Sequence, residues 1–435
     1  MLSIKILRTQ RSALSTQHSA LSTQHSALST PMSPILNVLR AHPTFRNIWF
    51  GAMISTFGDN LAWLAMSWFV LEKTDSGAAV GLVLLCFALP AMLTAPLIGR
   101  LLDHYQPRTI MFVDNVARAL IFVVIPLLEV LGSLPMPLFY VLAVMSGALA
   151  PATQVGLRLL VPSLLPKDDL VAGNSALSLT QQLPLVLSPL IGGMVTARLG
   201  ASAAIALNGL SFFALCWAIW RLPDFIRSVT NANPSEPHVD LGMRLPFKFP
   251  AVAMAMLLSG VFFFTYGPME VALPIFTKEI LKSDAQIYGL MWSVLGVGSV
   301  IGGSFTPMLA HWPRQGVLLA LICGCWGLMQ ALLGVSTNVW VICVLMFVGG
   351  VVWGPYLAIE ASLIQRNVPK SMHGRVFGTR SAWLTPTAPL GTAVGGALLT
   401  FMPPWLLIVA SGSLCVLAGL VALSVPQFRA AQVDL

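Results

Sequence analysis

Apolar residues in this chain are gathered into long runs broken by short polar stretches. A helix crossing a bilayer needs about twenty mostly apolar residues. Beyond Asn47 the chain supplies twelve such runs. Six cover 47–71, 78–100, 109–132, 136–157, 170–197 and 202–221, and six more cover 250–276, 286–309, 316–336, 338–361, 376–401 and 403–425. Thr337 and Asn338 separate the ninth run from the tenth, and Pro403–Pro404 separate the last two. The expected fold is all-α and integral to the membrane, with twelve transmembrane helices.

The longest polar connection, from Leu222 to Phe249, carries Asn231-Ala-Asn-Pro-Ser-Glu-Pro and reads as a flexible linker. It divides the chain into a tail at 1–46, a six-helix bundle at 47–222, a linker at 223–249, a second bundle at 250–426 and a tail at 427–435. The two halves echo each other. Pro151, Leu165-Pro166-Lys167 and Ser188-Pro189-Leu-Ile-Gly192-Gly193 are matched by Pro355, Val368-Pro369-Lys370 and Pro389-Leu-Gly391-Thr-Ala-Val-Gly395-Gly396. Such an echo marks two pseudo-repeats with a site near the midplane between them.

Residues 12–30 repeat SALSTQH without variation, with one Leu per seven and no second apolar seam. This is a tandem duplication, not a coiled-coil heptad. An upstream start or disordered tail, with the working protein beginning near Met32, is the favoured reading. A Ser-rich transit peptide is the alternative, and a secretory signal is disfavoured because no apolar core of seven residues is present.

Composition removes the soluble alternative. Hydrophobic residues make up 56% and charged residues only 9%, with a mean hydropathy of +0.81; a soluble domain carries roughly a quarter charged residues. The net charge of +8 does not point to nucleic acid, because the basic residues lie between apolar runs. If both termini are cytoplasmic, eighteen Lys and Arg residues fall on that side, against four (Lys73, Arg198, Lys278 and Lys282) on the other. Positive charge of this asymmetry orients both termini towards the cytoplasm. The six cysteines all sit in apolar runs, without metal-ligand spacing. Neither a metal nor a cofactor is expected, and no H-E-x-x-H, G-x-S-x-G or Walker loop points to an enzyme.

Several segments, taken in order, resemble the major facilitator superfamily. Gly99-Arg-Leu101-Leu-Asp103-His-Tyr-Gln-Pro-Arg108 is similar to its loop motif G-x-L-A-D-R-x-G-R-R, and Ser188-Pro189-Leu-Ile-Gly192-Gly193 to the G-P-x-x-G-G antiporter motif of span 5. Phe57-Gly58-Asp59, Gly267-Pro268-Met-Glu270 and Gly374-Arg375-Val376 fit the export branch of drug:proton antiporters, macrolide-efflux pumps and enterobactin-exporter-like proteins. The chain departs from the loop motif at His104, Gln106 and Pro107, and from the span 5 motif at Ser188. The equivalent turn of the second half, His311-Trp-Pro-Arg314, has no acid. The resemblance implies a monomeric inner-membrane exporter of amphipathic or cationic small molecules, driven by proton entry. Export or import of a specific metabolite such as a siderophore is the second reading, and a membrane-embedded non-transport protein the third.

An ionisable residue inside a span costs about 2.5–3.5 kcal/mol on insertion scales, so each one asks for a reason. Asp59, midway along span 1, is the first candidate for proton coupling, against a structural acid at a Gly58 kink. Glu270, beside Pro268, is the second candidate, at a helix loosened by the proline. Asp114 and Arg118 stand four apart in span 3 and are expected to pair with each other. The pair either makes burial tolerable or, as a further candidate for coupling, is a switchable pair that Asp59 or substrate perturbs. Glu360 and Glu129 are expected near opposite ends of their spans, with Glu360 solvated or closing a gate. The resemblance implies a cytoplasmic gate in which Asp103, with Gly99 and Arg108, meets the start of span 11 at Arg375. Pro189, Gly192 and Gly193 are read as a bend or simply close packing. Of the aromatics, Trp63, Trp68, Phe262, Phe263, Tyr266 and Trp292 are candidates for lining an apolar cavity.

Overall fold

A computed structural model describes residues 32–222, 249–369 and 372–430. The described residues form twelve helical spans in two sets of six, the major facilitator fold. Span 1 is Pro43–Thr74 and span 2 Gly77–His104. Span 3 is Pro107–Val130, span 4 Met136–Leu164, span 5 Leu170–Leu199 and span 6 Ala201–Trp220. In the second half, span 7 is Pro250–Ile275, span 8 Ala285–Ser304, span 9 Gln315–Val335 and span 10 Val339–Asn367. Span 11 joins His373–Leu384 to Thr387–Leu398, and span 12 is Pro404–Ser424. Ten of these are both long and apolar enough to cross a membrane. Span 1 and broken span 11 are the remaining two, and both carry charges along their length.

Prolines decide where helices break. Span 4 is interrupted at Pro151, which opens its second helical segment, and spans 10 and 11 at Pro355 and Pro386, each just before a new helical segment begins. A proline lacks the N–H that the preceding turn needs, yet it fits the first turn of the next helix. Pro268 behaves differently. Span 7 runs unbroken through it, with Pro268 inside the helix, so the loosening expected beside Glu270 does not become a break. Span 1 is likewise continuous through Gly58, without a break there.

We call the end where the described chain begins and stops the terminal face. There the helix Met32–Ala41 buries Val38 and Leu39 beside Phe45, Val161, Leu165 and Ala176. His42 Nε2 and Asp169 Oδ2 lie 2.8 Å apart and tie this helix to the turn before span 5. The segment 32–46, expected as tail, is therefore helical and packed. The SALSTQH repeat and nearly all of the linker lie outside the described residues. At the other terminus Phe428 is fully buried against Gly316 of span 9.

Large apolar side chains such as Leu93, Leu97, Val113 and Trp340 are exposed, as suits contact with lipid. The interior cores of the two halves merge towards the opposite face. Leu64 and Trp68 of span 1 belong to the core of the second half, and Val271 and Ile275 of span 7 belong to that of the first. Glycine seams join the same end. A Cβ on Gly81 of span 2 would stand 2.9 Å from Gly396 Cα of span 11, and one on Gly193 of span 5 would stand 3.1 Å from Gly289 Cα of span 8. Between those helices only hydrogen fits. At the outermost end Lys278 Nζ donates to Asp75 Oδ1 at 2.6 Å, an ion pair across the halves.

The terminal face is open by contrast. Asp103 and Arg375 are both exposed, and among the described residues neither makes an ion pair. Side chains added at Gly99, Gly374 or Gly378 would meet empty space. The gate expected between Asp103 and the start of span 11 is thus unmade in this conformation, which faces the terminal side. Arg108 does something else: its Nη2 donates to the Trp220 carbonyl at 2.8 Å, placing a cation on the C-terminal end of span 6.

Candidate functional site

Between the halves, near the middle of the spans, lies a cavity of about 260 Å³. Spans 1, 5, 7, 8, 9 and 10 all contribute to its wall. Five aromatic side chains dominate it: Trp63, Tyr266, Trp292, Trp326 and Trp353. Trp63 meets Trp292 edge-on with centroids 5.4 Å apart, Tyr266 lies 5.7 Å from Trp292, and Tyr266 stacks on Trp326 at 6.4 Å. Such contacts hold the rings of different spans in fixed orientation. The Nε1 atoms of Trp326 and Trp353 are buried without a hydrogen-bond partner among the described residues.

Glu270 is the acid of this cavity. The residue is half-buried in the cavity wall. Thr392 Oγ1 of span 11 donates to Oε2 at 3.4 Å, and Trp63 stands beside it as a second donor. Span 11 comes this close because Gly267 has no side chain: a Cβ there would meet the backbone of Gly391 and Thr392. Among the described residues Glu270 has no cationic partner.

Asp59 is not the isolated acid its sequence position implied. Arg118 Nη2 of span 3 donates to its Oδ1 at 2.7 Å, and Asn208 Nδ2 of span 6 donates to the same oxygen at 3.3 Å. Gly58 makes room for this arrangement, since a Cβ there would fall 2.6 Å from Asn208 Oδ1. The guanidinium also lies 4.4 Å from the Phe212 ring centroid, and Nε reaches Ser146 Oγ at 3.4 Å. The expected Asp114–Arg118 pair is therefore replaced. Asp114 instead accepts from Thr153 Oγ1 of span 4 at 2.5 Å, and Asn115 Nδ2 donates to that hydroxyl at 2.7 Å. Four residues of helical spacing brings two side chains near each other, but the guanidinium is long enough to choose a partner on another helix.

The solvated reading of Glu360 is corrected: it is fully buried and holds Arg380 of span 11 in a two-pronged ion pair through both carboxylate oxygens. Glu129, near the opposite face, pairs with Lys73 at 2.8 Å and accepts from Ser202. Pro189 and Gly193 form the seam with Gly289, and Gly192 receives Leu61 of span 1. Of the proposed aromatics, Trp63, Tyr266 and Trp292 line the cavity, while Trp68 and Phe262 are buried in the core and Phe263 packs against it. Asn60, Trp326 and Trp353 were not singled out from the sequence. Asn60 follows the noticed Asp59; the two tryptophans sit in apolar runs like any packing residue.

Comparison with known proteins agrees with this architecture. The family model described as transmembrane secretion effector matches residues 29–433. The enterobactin exporter EntS of Escherichia coli O81 (strain ED1a) is 25% identical over 399 residues, covering 90% of this chain and 93% of that protein. A bacterial homologue of the iron transporter ferroportin in the inward-facing state superposes with a TM-score of 0.66 at 19% identity, over 88% of this chain and 98% of that one. The nucleoside transporter NupG gives 0.67 at 11% identity, over 88% and 98%. The chain belongs to the transmembrane secretion effector family, and is a major facilitator transporter of the enterobactin-exporter-like branch.

Proposed function

We propose that this transporter exports amphipathic or cationic small molecules by alternating access, in exchange for protons. It does so from the inner membrane as a monomer, with both termini in the cytoplasm and without catalysing a chemical reaction. The terminal face is then the cytoplasmic face, and the open conformation is the one that loads cargo. One observation carries the reading: a carboxylate without a cationic partner among the described residues, set in a wall of aromatic rings. Ring faces attract cations, and the attraction grows where water is excluded. Glu270 supplies the counter-charge and can take up a proton once the cargo has left. It replaces Asp59 as the first candidate for coupling, since Asp59 is committed to Arg118.

A second reading rests on the indole N–H groups of Trp326 and Trp353, which stand in the cavity wall without acceptors among the described residues. They favour an aromatic cargo rich in acceptor oxygens, and the similarity to an enterobactin exporter runs the same way. A compound panel in inverted membrane vesicles separates the two. Cationic amphiphiles should accumulate against their gradient only when a proton gradient is imposed. Glu270→Gln should abolish that uphill movement at wild-type protein abundance, and Glu270→Asp should retain part of it. Wild-type uphill rates in Glu270→Gln would end the proposal that coupling runs through this residue. Accumulation of acceptor-rich anions alone would favour the second reading.

A further inference from the structure

A second cavity, of about 300 Å³, lies between spans 4 and 5 in their terminal half. Its lining is mostly polar: Gln154 and Arg158 of span 4, with Asn174, Ser178 and Gln181 of span 5. All five are exposed. Leu157 and Leu177 supply its apolar part. Asn174, Ser178, Gln181 and Leu185 follow one another at four, three and four residues, which sets them on one face of span 5. Leu185 already belongs to the wall of the Glu270 cavity. The recess is therefore on the cavity side of span 5, with Asn174 roughly 16 Å along the axis from Leu185. It stands on the way in from the open terminal face.

The recess is built of donors. Asn174 and Ser178 each turn one proton back on their own helix, to the Leu170 carbonyl at 2.9 Å and the Asn174 carbonyl at 3.1 Å. Arg158 and the amides of Gln154 and Gln181 have no such partner among the described residues. No carboxylate is among the lining residues. A guanidinium fork beside free amide N–H groups matches a planar oxyanion.

Water meets these donors while the terminal face is open. Alternating access closes that face and brings the second half against them. Four acids lie among the described residues of that half, and none is available. Glu270 lines the first cavity, Glu360 is committed to Arg380, and Glu279 and Asp284 stand at the opposite end, between spans 7 and 8. On the terminal side the second half offers cations instead: Arg314, Arg366 and Arg375. A cation taken out of water without a partner is costly, so the counter-charge has to arrive with the cargo.

We infer that the recess is an entry site for a small organic carboxylate, whose oxygens are held by the Arg158 fork and the Gln154 and Gln181 amides. The inference takes alternating access from the proposed function and adds an anionic group to the acceptor-rich cargo of the second reading. It does not depend on Glu270.

The test is equilibrium dialysis of radiolabelled 2-naphthoate against the purified full chain in detergent, with 2-naphthamide as the neutral probe of the same shape. Wild type should bind the acid at least about tenfold more tightly than the amide, or 1.4 kcal/mol. Arg158→Gln should bring the two probes level, and Arg158→Lys, which keeps the charge without the fork, should keep only part of the preference. Gln181→Ala, at a second exposed position, should weaken binding of the acid and not of the amide. Glu270→Gln should leave the preference unchanged. Binding needs no transport, so a failure of proton coupling at Glu270 counts against the proposed function and not against this site. Equal affinity for acid and amide in wild type overturns the inference, as does an undiminished preference in Arg158→Gln. Displacement of the acid by phosphatidylglycerol added to the micelles would assign Arg158 to a lipid headgroup and overturn it as well.

Discussion

Arg118 has two acids within its neighbourhood and bonds to the one on another helix. This was hidden in the sequence for a physical reason. Rarity of charge in an apolar run flags Asp59, Asp114, Arg118 and Glu270 as residues that matter, but it carries no information on which helices become neighbours. Pairing depends on span 1 meeting spans 3 and 6, and on the small residues that set their separation. Arg118 is buried but the Asp59 side chain is 34% exposed, so removing the acid leaves a buried cation uncompensated at a cost below the about 3–5 kcal/mol of a fully buried pair. Asp59→Asn is therefore expected to lower the amount of folded protein in the membrane, and Asp59→Asn with Arg118→Leu to recover much of it. Membrane abundance and thermal unfolding in detergent measure both; full abundance of the single variant would show the pair to be dispensable. Glu360 and Arg380 follow the same rule with stricter geometry. Arg380→Lys keeps the charge but loses the planar fork, so it should still unfold at a clearly lower temperature than wild type.

At the scale of elements, helix number and the three proline breaks follow from local chemistry, while helix contacts do not. The runs of apolar residues located all twelve spans, because length and hydropathy are set by the bilayer. Span 4 nevertheless runs on to Leu164 and span 10 to Asn367, past the ends at 157 and 361, and span 8 stops at Ser304, short of 309. The Ser188–Gly193 motif was ambiguous between hinge and packing, since a glycine permits both. Its partner decides the matter: Gly193 faces Gly289, and Gly81 faces Gly396. These seams lie on the side that is closed here and must part when the cavity opens the other way. Gly289→Leu should wedge span 8 off span 5 and disfavour the closed opposite face. A spin-label pair spanning spans 5 and 8 at that end should report a longer mean distance than in wild type, and an unchanged distance would mean that the seam adapts without opening.

For the molecule as a whole, the charge count predicts a topology that reporter fusions can read. Fusions after Asp75, Leu134, Gly200, Ser283, Thr337 and Met402 should all report the side away from the termini, and two or more contrary results would break the assignment. The Asp75–Lys278 pair offers a direct check on alternating access. With Cys86 and Cys325 replaced by Ser, Asp75→Cys and Lys278→Cys joined by a short methanethiosulfonate linker should hold the opposite face shut. Transport should stop on crosslinking and return on reduction. Continued transport by the crosslinked protein would mean that this end need not open.

The merging of the two cores bears on how the transporter responds to temperature. Leu64 and Trp68 are shared with the second half, and Val271 and Ile275 with the first. Opening the opposite face wets some of that surface, and hydrating apolar surface raises the heat capacity. The conformational step should therefore carry a positive activation heat capacity when the barrier lies on the opened side. A plot of the logarithm of turnover against reciprocal temperature would bend instead of running straight. Replacing Val271 with Thr, which trims the apolar surface at nearly constant shape, should flatten that bend.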